Sequence, residues 1–155
     1  MVNGKRFEQQ KQRQENKNDP ILIAIQKARS FSEIKPEQYA LPGGFAEQLA
    51  KSEKKMKTTQ LRKFFSKIKN IENSLKGKKG ELDEVTRNQL YLIIPELTYA
   101  RGRLLITPKF FNIITTIIKD KIRNVDDFTN FSRFITALVA YRKVEEQKNR
   151  EGNHE

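Results

Sequence analysis

The chain has 155 residues and a formal net charge of +12 at pH 7, from 31 lysines and arginines against 19 aspartates and glutamates. It has no cysteine and one histidine, His154, which excludes disulfides, thiolate catalysis and zinc sites built on cysteine or histidine. We therefore expect no cofactor, no metal and no enzymatic activity. Neither a run of about 18 apolar residues nor a signal peptide is evident, so we expect a cytoplasmic protein without membrane contact.

The length suits one domain, because domains of roughly 100–150 residues are the commonest and can bury one core. Residues 1–19 are almost entirely polar and offer nothing to offset an ordering cost of about 1–2 kcal/mol per residue, so we expect a disordered arm. A helical-bundle domain is expected over residues 20–146, followed by a frayed tail over residues 147–155.

The first helices are marked by their starts and breaks. Asp19 and Pro20, a cap followed by a first helical residue, predict a short helix that ends near Arg29. The cluster Pro42–Gly44 predicts a break before a helix over residues 45–56.

A long basic helix follows. Thr58 is the expected N-cap, and Gly77 is expected to end the helix just after Lys76. The stretch Lys51–Lys79 contains eleven basic and two acidic residues, a net +9 of the chain's +12. An apolar stripe at helical spacing predicts that one face packs against the core; its members are Leu61, Phe64, Phe65, Ile68, Ile71 and Leu75.

The second half is also helical. From Leu82 the apolar spacing predicts a helix that Pro95 should kink or split, because proline lacks a backbone N–H. Thr107 and Pro108 repeat the cap-and-proline start and open an isoleucine-rich helix over residues 108–123, which is apolar over more than half its circumference and therefore expected to be central.

Asn124, with Asp127 three residues on, opens the last helix. Together these patterns predict an all-α protein, a compact bundle of five to six helices with a disordered N-terminal arm and a frayed C-terminal tail.

The basic stretch is typical of a surface that binds polyanions through phosphates, without sequence preference. The alternative is a solvated helix face that only keeps the protein soluble. The row consists of Lys54, Lys57, Arg62, Lys63, Lys67 and Lys69, with Lys76, Lys78 and Lys79 at the far end.

A second basic point is Arg101-Gly102-Arg103. Arginine suits bidentate contact with phosphate, but the same triplet could be a helix stop with Gly102 in the left-handed conformation. On the last helix, Arg133, Arg142 and Lys143 could extend the surface or pair with nearby glutamates on a solvated face. Most phenylalanines fall on core stripes, so we expect tracking of the nucleic-acid backbone rather than base stacking.

Two runs resemble a known family. Residues 54–65, Lys-Lys-Met-Lys-Thr-Thr-Gln-Leu-Arg-Lys-Phe-Phe, and residues 92–103, Leu-Ile-Ile-Pro-Glu-Leu-Thr-Tyr-Ala-Arg-Gly-Arg, resemble the small helical subunit of the Csm complex, the type III-A CRISPR effector of antiviral defence. The resemblance covers about residues 36–145. It implies a non-catalytic bundle that stacks in several copies beside the guide RNA and the target RNA, in contact with other Csm subunits.

Carried onto this chain, the resemblance implies RNA-binding residues in both runs: Lys54, Lys57, Arg62, Lys63 and Lys69 in the first, and Arg101 and Arg103 in the second. The competing hypothesis is a helical DNA-binding regulator, since a basic helix can also enter a major groove. A lysine-dominated face offers few groups for base edges, so we expect no preference for one duplex sequence.

Overall fold

The computed structural model of the chain describes residues 19–152, together with Arg6. The rest of the predicted arm and residues 153–155 of the predicted tail lie outside the described residues. The described elements are α1 (Pro20–Lys27), a 3₁₀ turn (Phe31–Glu33), α2 (Pro36–Tyr39), α3 (Phe45–Ser52), α4 (Thr58–Ser74), α5 (Glu84–Tyr91), α6 (Ile93–Gly102), α7 (Pro108–Thr116) with a π-helical continuation (Ile117–Lys121), and α8 (Val125–Gly152).

The all-α prediction is confirmed, since the part of the chain that the structure describes contains helices and a single isolated bridge between Glu81 and Asn124 but no strand. Helix α8 organises the bundle: α3 and α4 pack along it, the 3₁₀ turn and α2 cover its first half, and α1 packs on α7. Side chains of α8 at helical spacing are buried in the centre, where aromatic rings of neighbouring segments meet them edge-on. These α8 residues are Phe128, Phe131, Phe134, Ile135 and Leu138.

Three predicted helix starts are confirmed by their caps. The Asp19 carboxylate accepts from the backbone N–H of Ile21 at 3.0 Å, and the Thr107 hydroxyl accepts from that of Phe110 at 3.1 Å. Asn124 and Asp127 form a reciprocal box, in which the Asn124 side chain accepts from the Asp127 N–H at 2.8 Å and Asp127 accepts from the Asn124 N–H at 3.3 Å. These contacts satisfy donors that a helix start leaves without partners.

Several boundaries differ from the sequence-based ones. The helix expected over residues 45–56 ends at Ser52, and the basic helix ends at Ser74 rather than at Lys76. The helix after Leu82 is divided at Leu92 rather than at Pro95, which lies in the first turn of α6, where a missing N–H costs nothing. Helix α8 ends at Gly152, so its last turns lie within residues 147–155, the segment expected to be a frayed tail. Pairs one turn apart support this extension: Lys148 lies 3.5 Å from Glu145, and Arg150 lies 3.3 Å from Glu146.

The isoleucine-rich segment is central, as predicted. Ile113 and Ile114 of α7 and Ile117 and Ile118 of the π-helical continuation are all buried. This isoleucine-rich segment joins three helices to the rest of the bundle. Helices α1 and α6 pack on α7, and α5 packs on the π-helical continuation.

Asp127 is fully buried and joins the start of α8 to the 3₁₀ turn. Its carboxylate accepts from the backbone N–H of Ser32 at 3.0 Å and from that of Arg123 at 3.0 Å. Burial alone would raise the pKa of Asp127, but hydrogen bonds from Ser32 and Arg123 outweigh it, so the pKa lies below its ordinary value. The charged carboxylate is therefore the form that stabilises the fold.

We predict that Asp127→Asn lowers the free energy of unfolding at pH 7 by about 2 kcal/mol, because an amide NH₂ then faces backbone donors. Since the folded pKa is depressed, the contribution of Asp127 is complete above the unfolded pKa and is lost as pH falls through the folded value. Urea unfolding should thus show a difference between variant and wild type that shrinks in acid. Exposed Asp120→Asn is the control, and a difference independent of pH would contradict this account.

Candidate RNA interface

The connection between α3 and α4 is held by a buried arginine. The Arg142 side chain, 3 % exposed, donates from Nε to the carbonyl of Met56 at 2.9 Å and from Nη1 to the carbonyl of Ala50 at 3.3 Å. Both sequence-based interpretations of Arg142, as an extension of the basic surface or as a solvated ion pair, are therefore wrong. The guanidinium instead satisfies carbonyl groups where α3 ends and the chain turns.

The start of α4 is capped from a distance. Lys57 occupies the N-cap position without a side-chain bond, and Thr58 is the first helical residue. The Glu146 carboxylate accepts from the Thr58 backbone N–H at 2.8 Å and also from the Thr58 hydroxyl. The prediction that Thr58 caps the helix is thus wrong, because its hydroxyl donates to α8 instead of accepting within α4.

Hydrogen bonds from the Thr58 side chain and backbone hold the pKa of Glu146 below its ordinary value. A carboxylate at the N-terminus of a helix also complements the helix dipole. Glu146 therefore fixes the point at which the basic helix begins.

Glu53 joins the two segments that carry the predicted RNA-binding residues. Its carboxylate, 1 % exposed, accepts from the Thr107 backbone N–H at 2.8 Å and from the Thr107 hydroxyl at 2.6 Å. Beside this contact is a depression of about 340 Å³. Lys54 and Lys55 line one side of it, and the segment Leu104–Pro108 lines the other. Lys54 therefore lies beside the segment that directly follows Arg103.

A larger groove of about 510 Å³ runs between α4 and α6. Lys63 and Lys67 line it from α4, and Lys67 forms an ion pair with Glu96 of α6. Leu105 and Ile106 line both this groove and the smaller depression, so the two are adjacent. The floor is largely apolar, formed by Met56, Leu61, Phe64, Leu97, Ala100, Leu105, Ile106 and Phe110.

Four of the five predicted RNA-binding residues of the first run are exposed. None of the four forms an ion pair with any residue in the described part of the chain, and each is therefore available to a polyanion. They are Lys54, Lys57, Arg62 and Lys63.

Lys69 is placed differently. Its ammonium lies 3.0 Å from Glu72, whose carboxylate also accepts from the Ser132 hydroxyl of α8, and 5.4 Å from the centroid of the Phe65 ring. Although burial would raise the pKa of Glu72, hydrogen bonds from Ser132 and Lys69 lower it, so this residue stays charged opposite Lys69. The Lys69 cation is thus partly neutralised by the contact between α4 and α8.

The two arginines of the run over residues 92–103, Arg101 and Arg103, point in different directions. Arg101 is half-buried, with its guanidinium 4.9 Å from the centroid of Phe111 on α7. Arg103 is exposed, with its guanidinium 5.7 Å from the centroid of Tyr99. Two residues along a helix rotate the side chain by about 200°, which separates these positions.

The left-handed residue at the end of α6 is Leu104, at φ +60°, and not Gly102, which is the last residue of the helix. The helix does stop after this triplet, but the prediction that Gly102 adopts the left-handed conformation is wrong. A backbone bond from the Leu105 N–H to the Ala100 carbonyl, 3.0 Å long, closes the helix end.

Two residues near this surface lie outside the predicted RNA-binding set. Lys67 belongs to the basic row and lines the groove, and its spacing of four from Lys63 places both on one side of α4. Tyr99 belongs to the run over residues 92–103, where it follows Glu96 by three residues and precedes Arg103 by four. Helical spacing alone could have grouped them.

The sequence model of one protein family, described as Csm2 Type III-A, matches residues 37–148. The chain belongs to this family. It is accordingly a Csm2-like small subunit of a type III-A CRISPR complex and a partner of the other Csm subunits. The matched range extends from α2 into α8 and includes every predicted RNA-binding residue.

No curated protein and no solved structure matches the chain. The family membership gives no support to the DNA-binding regulator. Over residues 19–152, no helix is long and apolar enough to cross a membrane, and no three acidic or histidine side chains are grouped as metal ligands.

We predict that Glu53→Gln lowers the free energy of unfolding by about 1–2 kcal/mol, because the Thr107 hydroxyl and the Ser52 hydroxyl at 3.0 Å lose a shared carboxylate oxygen. Hydrogen exchange should accelerate over residues 104–108 if Glu53 holds the two segments together. Exposed Glu37→Gln is the matched control. Exchange unchanged from wild type would contradict the coupling.

Proposed function

We propose that this chain is a non-catalytic subunit that holds RNA by its phosphates within the type III-A complex. The RNA is the target strand or the duplex of guide and target, and the contact does not depend on sequence. The observation that carries the proposal is the group of exposed cations at the start of α4, which the contact between Glu53 and Thr107 brings next to the segment after Arg103.

The position of the cations along two adjacent cavities supports a continuous path for a phosphate backbone. Lys54 borders the smaller depression and Lys63 the larger groove, and these two are adjacent through Leu105 and Ile106. Cations along such a path gain affinity from the release of counterions, which is independent of base identity. Lysine is also a point charge, suited to phosphates and less suited to reading base edges.

The seven residues implied by the family resemblance contribute unequally to this proposal. Lys54, Lys57, Arg62, Lys63 and Arg103 supply the phosphate contacts, because they are exposed. Lys69 adds less, since Glu72 compensates its charge. Arg101, which stacks on Phe111, acts mainly by orienting the end of α6 and reaches only phosphates close to α7.

We assign RNA cleavage and other catalysis to partner subunits. The chain has no cysteine, and its one histidine is His154, so thiolate chemistry has no residue to use and imidazole chemistry has one. A scaffold role also matches the family to which the chain belongs.

We predict that the pair Arg62→Gln and Lys63→Gln weakens binding of single-stranded RNA about tenfold near 0.15 M salt. The slope of log affinity against log salt should become shallower by about 1.4, or about 0.7 for each lost phosphate contact. Fluorescence anisotropy across a salt series measures both, with the purified chain and with the assembled complex.

The matched control is Lys27→Gln with Lys119→Gln, which removes the same charge from exposed positions on α1 and on the π-helical segment beside it. Equal losses in both double variants would show that only net charge matters and would contradict the proposed face. Strong preference for one DNA duplex would instead favour a DNA-binding regulator.

Self-association is the second part of the proposal. Val85 near the start of α5 and Leu92 at the junction of α5 and α6 are exposed aliphatic side chains, which a neighbouring copy can cover. Val85 lies in the first turn of α5, where aspartate complements the helix dipole. Leu92 is both the C-cap of α5 and the N-cap of α6, so the dipole effects of aspartate there oppose each other.

We predict that Val85→Asp with Leu92→Asp lowers the number of copies per assembled complex without unfolding the chain, because stacking then buries charges. Native mass spectrometry of the complex counts the copies. Leu41→Asp, at another exposed leucine, is the control. An unchanged copy number in the double variant would place stacking on another surface.

A further inference from the structure

Tyr99 has an unusual environment among the aromatic residues that the structure describes. Its side chain is 65 % exposed, compared with 40 % for Tyr91, and every described phenylalanine is partly or fully buried. The other two tyrosines have hydroxyl partners: Tyr39 donates to Asn130 at 2.5 Å, and Tyr141 donates to the Ala40 carbonyl at 2.7 Å. Tyr99 contributes neither a core contact nor a hydroxyl bond to the described fold.

Tyr99 lies on the face of α6 that borders the basic surface. It follows Glu96 by three residues, about 4.5 Å along the helix axis, and Glu96 contacts Lys67 of α4. Glu96, Leu97 and Ala100 line the groove between the two helices, and Tyr99 flanks this side of α6 without lining the groove. The ring is therefore placed at the edge of the path proposed for the phosphate backbone.

Arg103 holds its guanidinium 5.7 Å from the centre of the Tyr99 ring. Both groups are exposed, so an unpaired base can reach the ring while a phosphate reaches the guanidinium. The helix end after Arg103 is fixed by the bond from Leu105 to Ala100, which keeps this pair at the end of α6. An aromatic ring beside a cation is the combination that proteins use to hold single strands.

We propose that Tyr99 stacks on a base of single-stranded RNA while Arg103 contacts an adjacent phosphate. This inference rests on the proposed RNA-binding function and adds a base contact to it. Stacking accepts all four bases, because each has an aromatic face, so the contact gives affinity without sequence preference. It also favours unpaired nucleotides, since a base within a duplex does not present its face.

The test uses Tyr99→Leu and Tyr99→Phe in the full chain, with RNA oligonucleotides of equal length and charge that either carry all bases or contain abasic positions. Tyr99→Leu should bind normal RNA about tenfold more weakly, and Tyr99→Phe should bind like wild type. The salt slope should stay unchanged, because no phosphate contact is removed. Tyr91→Leu, at the other exposed tyrosine, is the matched control.

Binding of abasic RNA distinguishes base stacking from phosphate contact alone. Wild type should bind abasic RNA more weakly than normal RNA, and Tyr99→Leu should bind the two nearly alike. If wild type binds RNA with a normal salt slope but does not distinguish abasic from normal RNA, the stacking inference is overturned and the phosphate-binding proposal remains. If wild type binds no RNA, alone or in the complex, both are overturned.

A further measurement, incorporation of Tyr99→Leu into the complex, tests whether the Tyr99 ring contacts a protein subunit instead of RNA. Unchanged RNA affinity of Tyr99→Leu, together with failure of that variant to enter the complex, would overturn stacking and assign Tyr99 to a subunit contact. Thermal unfolding of each variant checks the fold, which should be unaffected because the side chain is exposed.

Discussion

The position of the basic helix depends on one pair of residues in the second half of α8. Arg142 and Glu146 lie one helical turn apart, and they bind, respectively, the carbonyl groups of Ala50 and Met56 and the first N–H of α4. A buried guanidinium without such acceptors would be costly, and so would a helix start without an acceptor. The chain turn between α3 and α4 is therefore defined by charged groups more than 80 residues away in sequence.

Once α4 is fixed in this way, its neighbours divide its charge into two parts. Glu72, which accepts a hydrogen bond from the Ser132 hydroxyl of α8, pairs with Lys69 on the side that meets α8, and Glu96 of α6 pairs with Lys67 across the groove. The cations nearest the start of the helix form no ion pair within the described part of the chain and remain exposed. Exposed pairs such as Lys67–Glu96 add little stability. Their effect is to compensate charge in the middle of α4 and to leave the cations at its start uncompensated.

The two proposed RNA contacts differ in their physical basis. Phosphate contacts to the α4 cations are electrostatic and weaken with salt, whereas stacking on Tyr99 depends on an accessible base and is nearly independent of salt. Together they favour a single strand held by its backbone, with bases free for pairing or for the ring. Such binding suits a subunit of a complex in which base pairing with the guide supplies sequence specificity.

Local patterns in the sequence by themselves determined the helical class, the caps at Asp19, Thr107 and Asn124, and the central isoleucine-rich segment, because these depend on residues within a few positions of one another. The predicted RNA-binding residues stay a prediction. The structure leaves five of them exposed and engages Lys69 in an ion pair and Arg101 in packing on Phe111; the exposed ones are Lys54, Lys57, Arg62, Lys63 and Arg103. Only the tertiary structure decided that Arg142 is buried and that Glu53 binds Thr107. Each of these depends on contacts between residues far apart in sequence, which composition and periodicity do not encode.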